Sequence, residues 1–326
     1  MPLPTRRRVF GPSLAATLAA FWLASPTAFA ADIDAAQATD PVPGPAPALK
    51  VDPLDWPYWR GPEYNGISRE TDLPEKFDES GEGVLWSNPE LGTRSSPILM
   101  HGKLYTTCNY KPRTDREGEM VVCADANTGK ILWRTHFNVF LSDVPDTRVG
   151  WPPLTGDPTT GRIYCQGVGG LFLCLEGDTG KVVWDHSMSE EYGLLTTYGG
   201  RTNSPVVFED LVIISGVMTG WGELSRPVHR FMAFDKATGE TRWQTDTKPL
   251  PDDTTYSVPI IAVLGGQSAL VAGASDGALY AIQPRTGNVI WKYQISPRGL
   301  NLTPLAVGDT VYMGNSEENI DDNTMG

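Results

Sequence analysis

Short runs of β-branched and aromatic residues, bounded by Gly, Asp and Pro, recur along most of this chain and predict strands in antiparallel pairs. Ser96-Pro97-Ile98-Leu99 pairs with Lys103-Leu104-Tyr105, and Ser204-Pro205-Val206-Val207 with Leu211-Val212-Ile213-Ile214. Val258-Pro259-Ile260-Ile261 pairs likewise with Ala269-Leu270-Val271-Ala272, and Thr303-Pro304-Leu305 with Thr310-Val311-Tyr312. Each pair supplies strands A and B of a sheet whose C and D strands flank a turn. The sheets are predicted over 94–135, 151–188, 203–246 and 256–295, with a further A–B pair starting at Leu302.

The C–D segment carries one phrase four times. It runs from Cys123 to Trp133, Cys174 to Trp184, Ala233 to Trp243 and Ala281 to Trp291, with the frame small-x-acid/amide-x-x-Thr-Gly-x-x-x-Trp. Successive Trp residues lie 51, 59 and 48 positions apart. A period near 50 means stacked sheets, none of which can bury itself alone. Asp125 and Asp235 open the turn and can accept from its N–H groups. Gly129, Gly180, Gly239 and Gly287 supply its positive φ, and Trp133, Trp184, Trp243 and Trp291 emerge on the outer strand to cover a neighbouring sheet.

With this phrase the chain resembles the tryptophan-docking repeat of pyrroloquinoline-quinone-type β-propellers over roughly residues 83–313. The resemblance implies an all-β propeller of four-stranded blades, incomplete at roughly four and a half blades of about eight. Val84-Leu85-Trp86 reads as an isolated D strand. Since strand C of the last blade should begin where Gly326 stands, the expectation is a C-terminally truncated fragment; an open arc or a shorter ring is the alternative. The family's enzymes, quinoprotein dehydrogenases, pair the quinone with calcium, an Asp base and a disulfide between adjacent cysteines. Here there is no Cys-Cys pair and no assignable Asp base or calcium cage.

The ends and the composition narrow the class. Arg6, Arg7 and Arg8 precede an apolar run from Leu14 to Leu23, and Ala28-Phe29-Ala30 offers a cleavage site, so residues 1–30 read as a signal peptide cleaved after Ala30. The run is too short to span a membrane; Sec and twin-arginine export both remain open. Residues 31–52 read as a disordered Ala/Pro-rich linker and 53–326 as the partial propeller. Cleavage would remove three arginines and no acid, taking the formal charge from −13 to −16, which argues against nucleic acid and anionic membranes as partners. Cys123 and Cys174 occupy the small-residue slot and read as buried hydrophobes, while a bridge from Cys108 to Cys123, or from Cys165 to Cys174, stays open.

Long B–C segments at 109–119 and 216–229, and D–A segments at 136–150 and 189–202, fall on one end of the blades. There Arg94, Arg148, Arg201 and Arg298 recur just before strand A, near Tyr198, Asn203, Tyr256 and Asn301. If they converge they make a cationic mouth for an anion or a partner; local capping by each Arg is the alternative. Trp56-Pro57-Tyr58-Trp59-Arg60-Gly61-Pro62 could be a recognition surface, or a structural seal for the edge or channel of the ring. His101, His136, His186 and His229 are too scattered for a metal site. Gly273-Ala274-Ser275-Asp276-Gly277 lies between hairpin strands and is no nucleophile elbow.

The expectation is an exported, periplasmic, non-catalytic propeller, a protein-interaction scaffold or ligand-binding module akin to the one in outer-membrane β-barrel assembly. Its partners would be envelope proteins or a small anion, with no cofactor. The alternative is a quinone-dependent alcohol or sugar dehydrogenase, which would bring pyrroloquinoline quinone and calcium.

Overall fold

A computed structural model describes residues 48–78, 81–139, 148–195, 203–220, 226–251 and 255–315. These lie in one compact unit that begins at Ala46. The signal peptide, most of the linker, Tyr198 and Arg201 fall outside the described residues.

The described chain is a β-propeller of antiparallel meanders. The first sheet holds β1 (Ile98–Met100), β2 (Lys103–Tyr110), β3 (Gly118–Asp125) and β4 (Ile131–Asn138). The second holds β5 (Thr155–Asp157), β6 (Arg162–Gln166), β7 (Leu171–Glu176) and β8 (Val182–Ser187), after which comes the short helix α1 (Met188–Tyr192). The third is β9 (Val206–Phe208), β10 (Leu211–Met218), β11 (Val228–Asp235) and β12 (Thr241–Pro249). The fourth is β13 (Ile260–Leu264), β14 (Gln267–Gly273), β15 (Ala278–Ile282) and β16 (Val289–Gln294). Finally β17 (Leu305–Val307) and β18 (Thr310–Tyr312) pair only with each other among the described residues. First strands of successive sheets face one another, β1 to β5, β5 to β9 and β9 to β13, so strand A lies innermost.

The repeat phrase builds the same corner in every blade. The ladder between strands C and D shifts register just after the small residue, at Cys123/Ala124, Cys174/Leu175, Ala233/Phe234 and Ala281/Ile282. Asp125 Oδ1 accepts from the backbone N–H of Asn127 (3.1 Å) and Thr128 (2.9 Å), and Asp235 Oδ1 does the same for Ala237 and Thr238 (both 2.9 Å). Gln283 Oε1 performs this task in the fourth blade, accepting from Arg285 (2.7 Å) and Thr286 (2.9 Å).

The outer Trp of each of the first three blades then docks on the turn of the following blade. Trp133 Nε1 donates to Gly177 O (2.8 Å), Trp184 Nε1 to Lys236 O (3.3 Å) and Trp243 Nε1 to Pro284 O (2.9 Å). The indole covers the Gly of that turn so closely that a Cβ on Gly287 would sit 2.6 Å from Trp243. The core is therefore interfacial between sheets. Ile98, Val121 and Cys123 of the first blade pack with Ile163, Cys165 and Leu173 of the second, and Phe172 of the second with Met232 and Phe234 of the third. All four cysteines are free, buried thiols.

The structure corrects one expectation. Val84-Leu85-Trp86 is not a strand; a short 3-10 turn over Pro89–Leu91 follows it. No neighbouring strand C exists among the described residues to pair with it, and side-chain bonds hold it instead. Trp86 Nε1 donates to Ala126 O and Asn88 Nδ2 to Gly129 O, both at 2.8 Å. The docking contact is made without the ladder.

The Trp-rich segment before the first blade threads along the inner strands. Trp56 and Leu99 exchange backbone hydrogen bonds (2.8 and 3.0 Å), and Pro57 O accepts from Gly156 N–H (2.8 Å). Tyr58 and Tyr64 stack with centroids 4.8 Å apart. Tyr64 is buried with Val206 of the third blade and Ile260 of the fourth. The strap thus touches all four complete blades.

Candidate functional site

The loops leading into strand A meet Trp59 and Arg60 of the strap at a pocket of about 340 Å³. Arg148, Trp151 and Pro153 line it from the lead into β5, Tyr256 and Val258 from the lead into β13, and Asn301, Leu302 and Thr303 from the lead into β17. Two of these leads are tied together: Tyr256 N–H donates to Asn301 Oδ1 (3.2 Å) and Val258 N–H to Thr303 Oγ1 (3.1 Å).

Both guanidinium groups are held by aromatic rings. Arg148 Cζ lies 3.8 Å from the centroid of Trp151 and 5.3 Å from that of Tyr256, and Arg60 Cζ lies 4.6 Å from that of Trp59. Stacking uses the π faces of a guanidinium and leaves its in-plane N–H donors for an acceptor. Neither Arg has a carboxylate partner among the described residues. Elsewhere Arg69 pairs with Glu63, Arg134 with Glu90, Arg162 with Glu176, Arg230 with Asp246, Arg242 with Asp235 and Arg285 with Glu209. Burial lowers the pKa of Arg60, the sign of a cation partly stripped of water.

Of the residues singled out in the sequence, Arg148, Tyr256 and Asn301 come together here. Arg94 and Arg298 are exposed and do not line the pocket. Asn203 is buried, its Nδ2 donating to Ser215 Oγ (3.0 Å), so it belongs to the third blade's interior. Arg60, Trp59 and Trp151 were not grouped with this mouth. Arg60 and Trp59 lie far upstream of the repeats in sequence and reach it only through the strap.

Two buried titratable groups sit on the same end of the blades. Glu119, fully buried on β3, accepts from the N–H of Gly150 and Val168, both at 2.9 Å. Burial pushes its carboxyl up to about 7, against the lowering effect of those two bonds. His229 on β11 is equally buried; its Nδ1 accepts from Ser275 N–H (3.3 Å), and burial lowers its pKa to about 4. The thiols are also pushed up by burial, Cys108 to about 11 and Cys123 and Cys174 to about 12, which makes them poor nucleophiles. Among the described residues no three His, Cys, Asp or Glu side chains gather as a metal site, and no helix is long and apolar enough to cross a membrane.

Comparison with known proteins gives this geometry its context. Outer membrane protein assembly factor BamB of Burkholderia pseudomallei is 27% identical over 179 residues, 54% of this chain and 38% of that protein. Quinohemoprotein alcohol dehydrogenase ADH IIB of Pseudomonas putida is 23% identical over 255 residues, 63% of this chain and 34% of that protein. The chain thus matches well under half the length of either relative. Among solved structures, quinohemoprotein alcohol dehydrogenase from Comamonas testosteroni superposes with a TM-score of 0.54 at 16% identity, covering 80% of this chain and 45% of that one. At that identity the likeness concerns the fold. The sequence over residues 75–195 and 117–321 matches a family of repeats described as outer membrane protein assembly factor BamB. With most of its length inside that match, and the tryptophan corner built in each complete blade, the chain belongs to this family.

Proposed function

We propose that this chain is an exported, non-catalytic binding propeller, a scaffold that holds another envelope protein at the mouth where the strand A leads converge. The observation that carries the reading is the lining of that mouth: Trp59, Trp151, Tyr256, Arg60 and Arg148 around one pocket. Trp, Tyr and Arg are the residue types that dominate binding energy at protein interfaces. Glu119 and His229, buried on the same end of the blades, each accept a bond from the next blade, and neither lines this pocket.

The rival reading is a quinone-dependent dehydrogenase, supported by relatives such as the Pseudomonas putida enzyme. Its calcium does not fit the mouth, because calcium takes oxygen ligands with carboxylates among them, and this lining offers two guanidinium groups and no carboxylate. The test uses the full protein with added pyrroloquinoline quinone and calcium, alcohols as substrates and an electron-accepting dye. No turnover above background is expected, while a photo-crosslinker at position 151 should give a discrete protein adduct in the native envelope. Alcohol-dependent dye reduction would overturn the scaffold reading.

A further inference from the structure

We infer that the mouth pocket recognises a side-chain carboxylate, flanked by an apolar or aromatic residue, on an extended segment of the partner protein. The inference rests on the scaffold reading and names the chemistry of what is bound. In a chain of net charge −13, six arginines elsewhere each find an acid within the fold. Arg60 and Arg148 do not find one among the described residues, although both are only half exposed. Their ring faces are taken by Trp59, Trp151 and Tyr256, so the unfilled valence is a set of in-plane N–H donors at a partly desolvated site. A cation held this way is costly until an anion arrives, and a carboxylate matches the fork of a guanidinium.

Size and shape limit the occupant. A pocket of about 340 Å³ is at the small end for a ligand site, enough for a side chain or two and not for a folded element. Val258, Leu302 and Pro153 give it an apolar wall beside the guanidinium groups, hence the flanking apolar residue. The bonds from Tyr256 N–H to Asn301 Oδ1 and from Val258 N–H to Thr303 Oγ1 fix two of the leads that line it, so little ordering is left to occur on binding.

The experiment compares two labelled peptides, acetylated and amidated to remove terminal charge, with central Phe-Glu-Phe or Phe-Gln-Phe in a Gly/Ser background. Binding to the full protein is read by fluorescence anisotropy in low salt. The Glu peptide should bind about tenfold more tightly or better, as expected for a charge-assisted hydrogen bond lost in the amide. Arg148→Gln and Arg60→Gln should each erase the preference, and Arg285→Gln, which alters a paired arginine outside this pocket, should leave it intact. Equal binding of the two peptides overturns the inference, as does a preference that survives both pocket substitutions. Should a variant fail to fold, the comparison on the unaltered protein decides alone. Succinate binding as tightly as the peptide would also overturn it, assigning the pocket to a free small anion. Dye reduction would sink the scaffold reading without touching this comparison, and equal peptide binding would leave the scaffold reading to other surfaces.

Discussion

Glu119 and His229 occupy the same position in their repeats, four residues before the small residue of the phrase, and each accepts an N–H from the tight B–C turn of the next blade. The donors, Val168 and Ser275, are themselves equivalent, six residues before Cys174 and Ala281. Blades with long B–C hairpins thus reach across to blades with short ones. The Trp corner latches one end of the blade interface and this bond latches the other.

The two latch residues titrate in opposite senses. Glu119 has a folded pKa of about 7, above its ordinary value, so the stability it contributes is full in acid and declines as pH rises through neutrality. His229 has a folded pKa of about 4, below its ordinary value, so its contribution is full above the ordinary histidine range and is lost as pH falls toward 4. Between these limits the slopes oppose. Glu119→Gln should unmask a stability that drops on acidification, and His229→Asn one that rises. Urea melts at several pH values read this directly; parallel profiles for the two variants would contradict it.

Truncating a docked indole should be severe. Trp184→Ala and Trp243→Ala each remove a buried ring and its bond to the next turn, and should cost about 3–5 kcal/mol by denaturant unfolding. Trp291 is less buried, and no Thr-Gly turn lies against it among the described residues, so Trp291→Ala should cost clearly less. Equal losses at all three positions would show that the docking bond contributes little.

Gly287 has φ +76°, and a Cβ there would meet the Trp243 ring at 2.6 Å. Gly287→Ala should therefore lose at least the roughly 1–2 kcal/mol of a left-handed residue, plus the cost of lifting the indole. Gly266, also at positive φ (+77°) but with open space around it, isolates the backbone share when changed to Ala. A melting temperature for Gly287→Ala at or above that of Gly266→Ala would refute the steric argument.

The four thiols should react with a disulfide reagent only as fast as the fold opens. All are buried, and those of Cys108, Cys123 and Cys174 are held protonated well above neutrality. Rapid release of even one equivalent of thiolate chromophore from native protein would contradict their placement.

The blade frame was legible because it is written four times: any residue required by the corner recurs at the period, and the Asp, Thr-Gly and Trp positions could each be given a mechanical task. The latch was not legible, since Glu119 and His229 differ in chemistry at one position and become equivalent only through the bond they accept. The mouth was half legible. Arg148, Tyr256 and Asn301 each lie in the lead into a strand A, whereas Arg60 reaches the pocket through contacts far apart in sequence. Asn203 misled because the lead into a strand can turn inward, and Val84-Leu85-Trp86 because its composition suits a strand that has no partner among the described residues.

The strap has a consequence for how the molecule comes apart. Stacked repeats ordinarily melt like a row of dominoes, each unit sensing only its neighbours. Here Trp56 is hydrogen-bonded to the first blade and Pro57 to the second, while Tyr64 is wedged between the third and fourth. A perturbation in one blade therefore reaches blades that never touch it, and unfolding gains an all-or-none character that the repeats alone would lack. Loosening Tyr64 should convert a single transition into several.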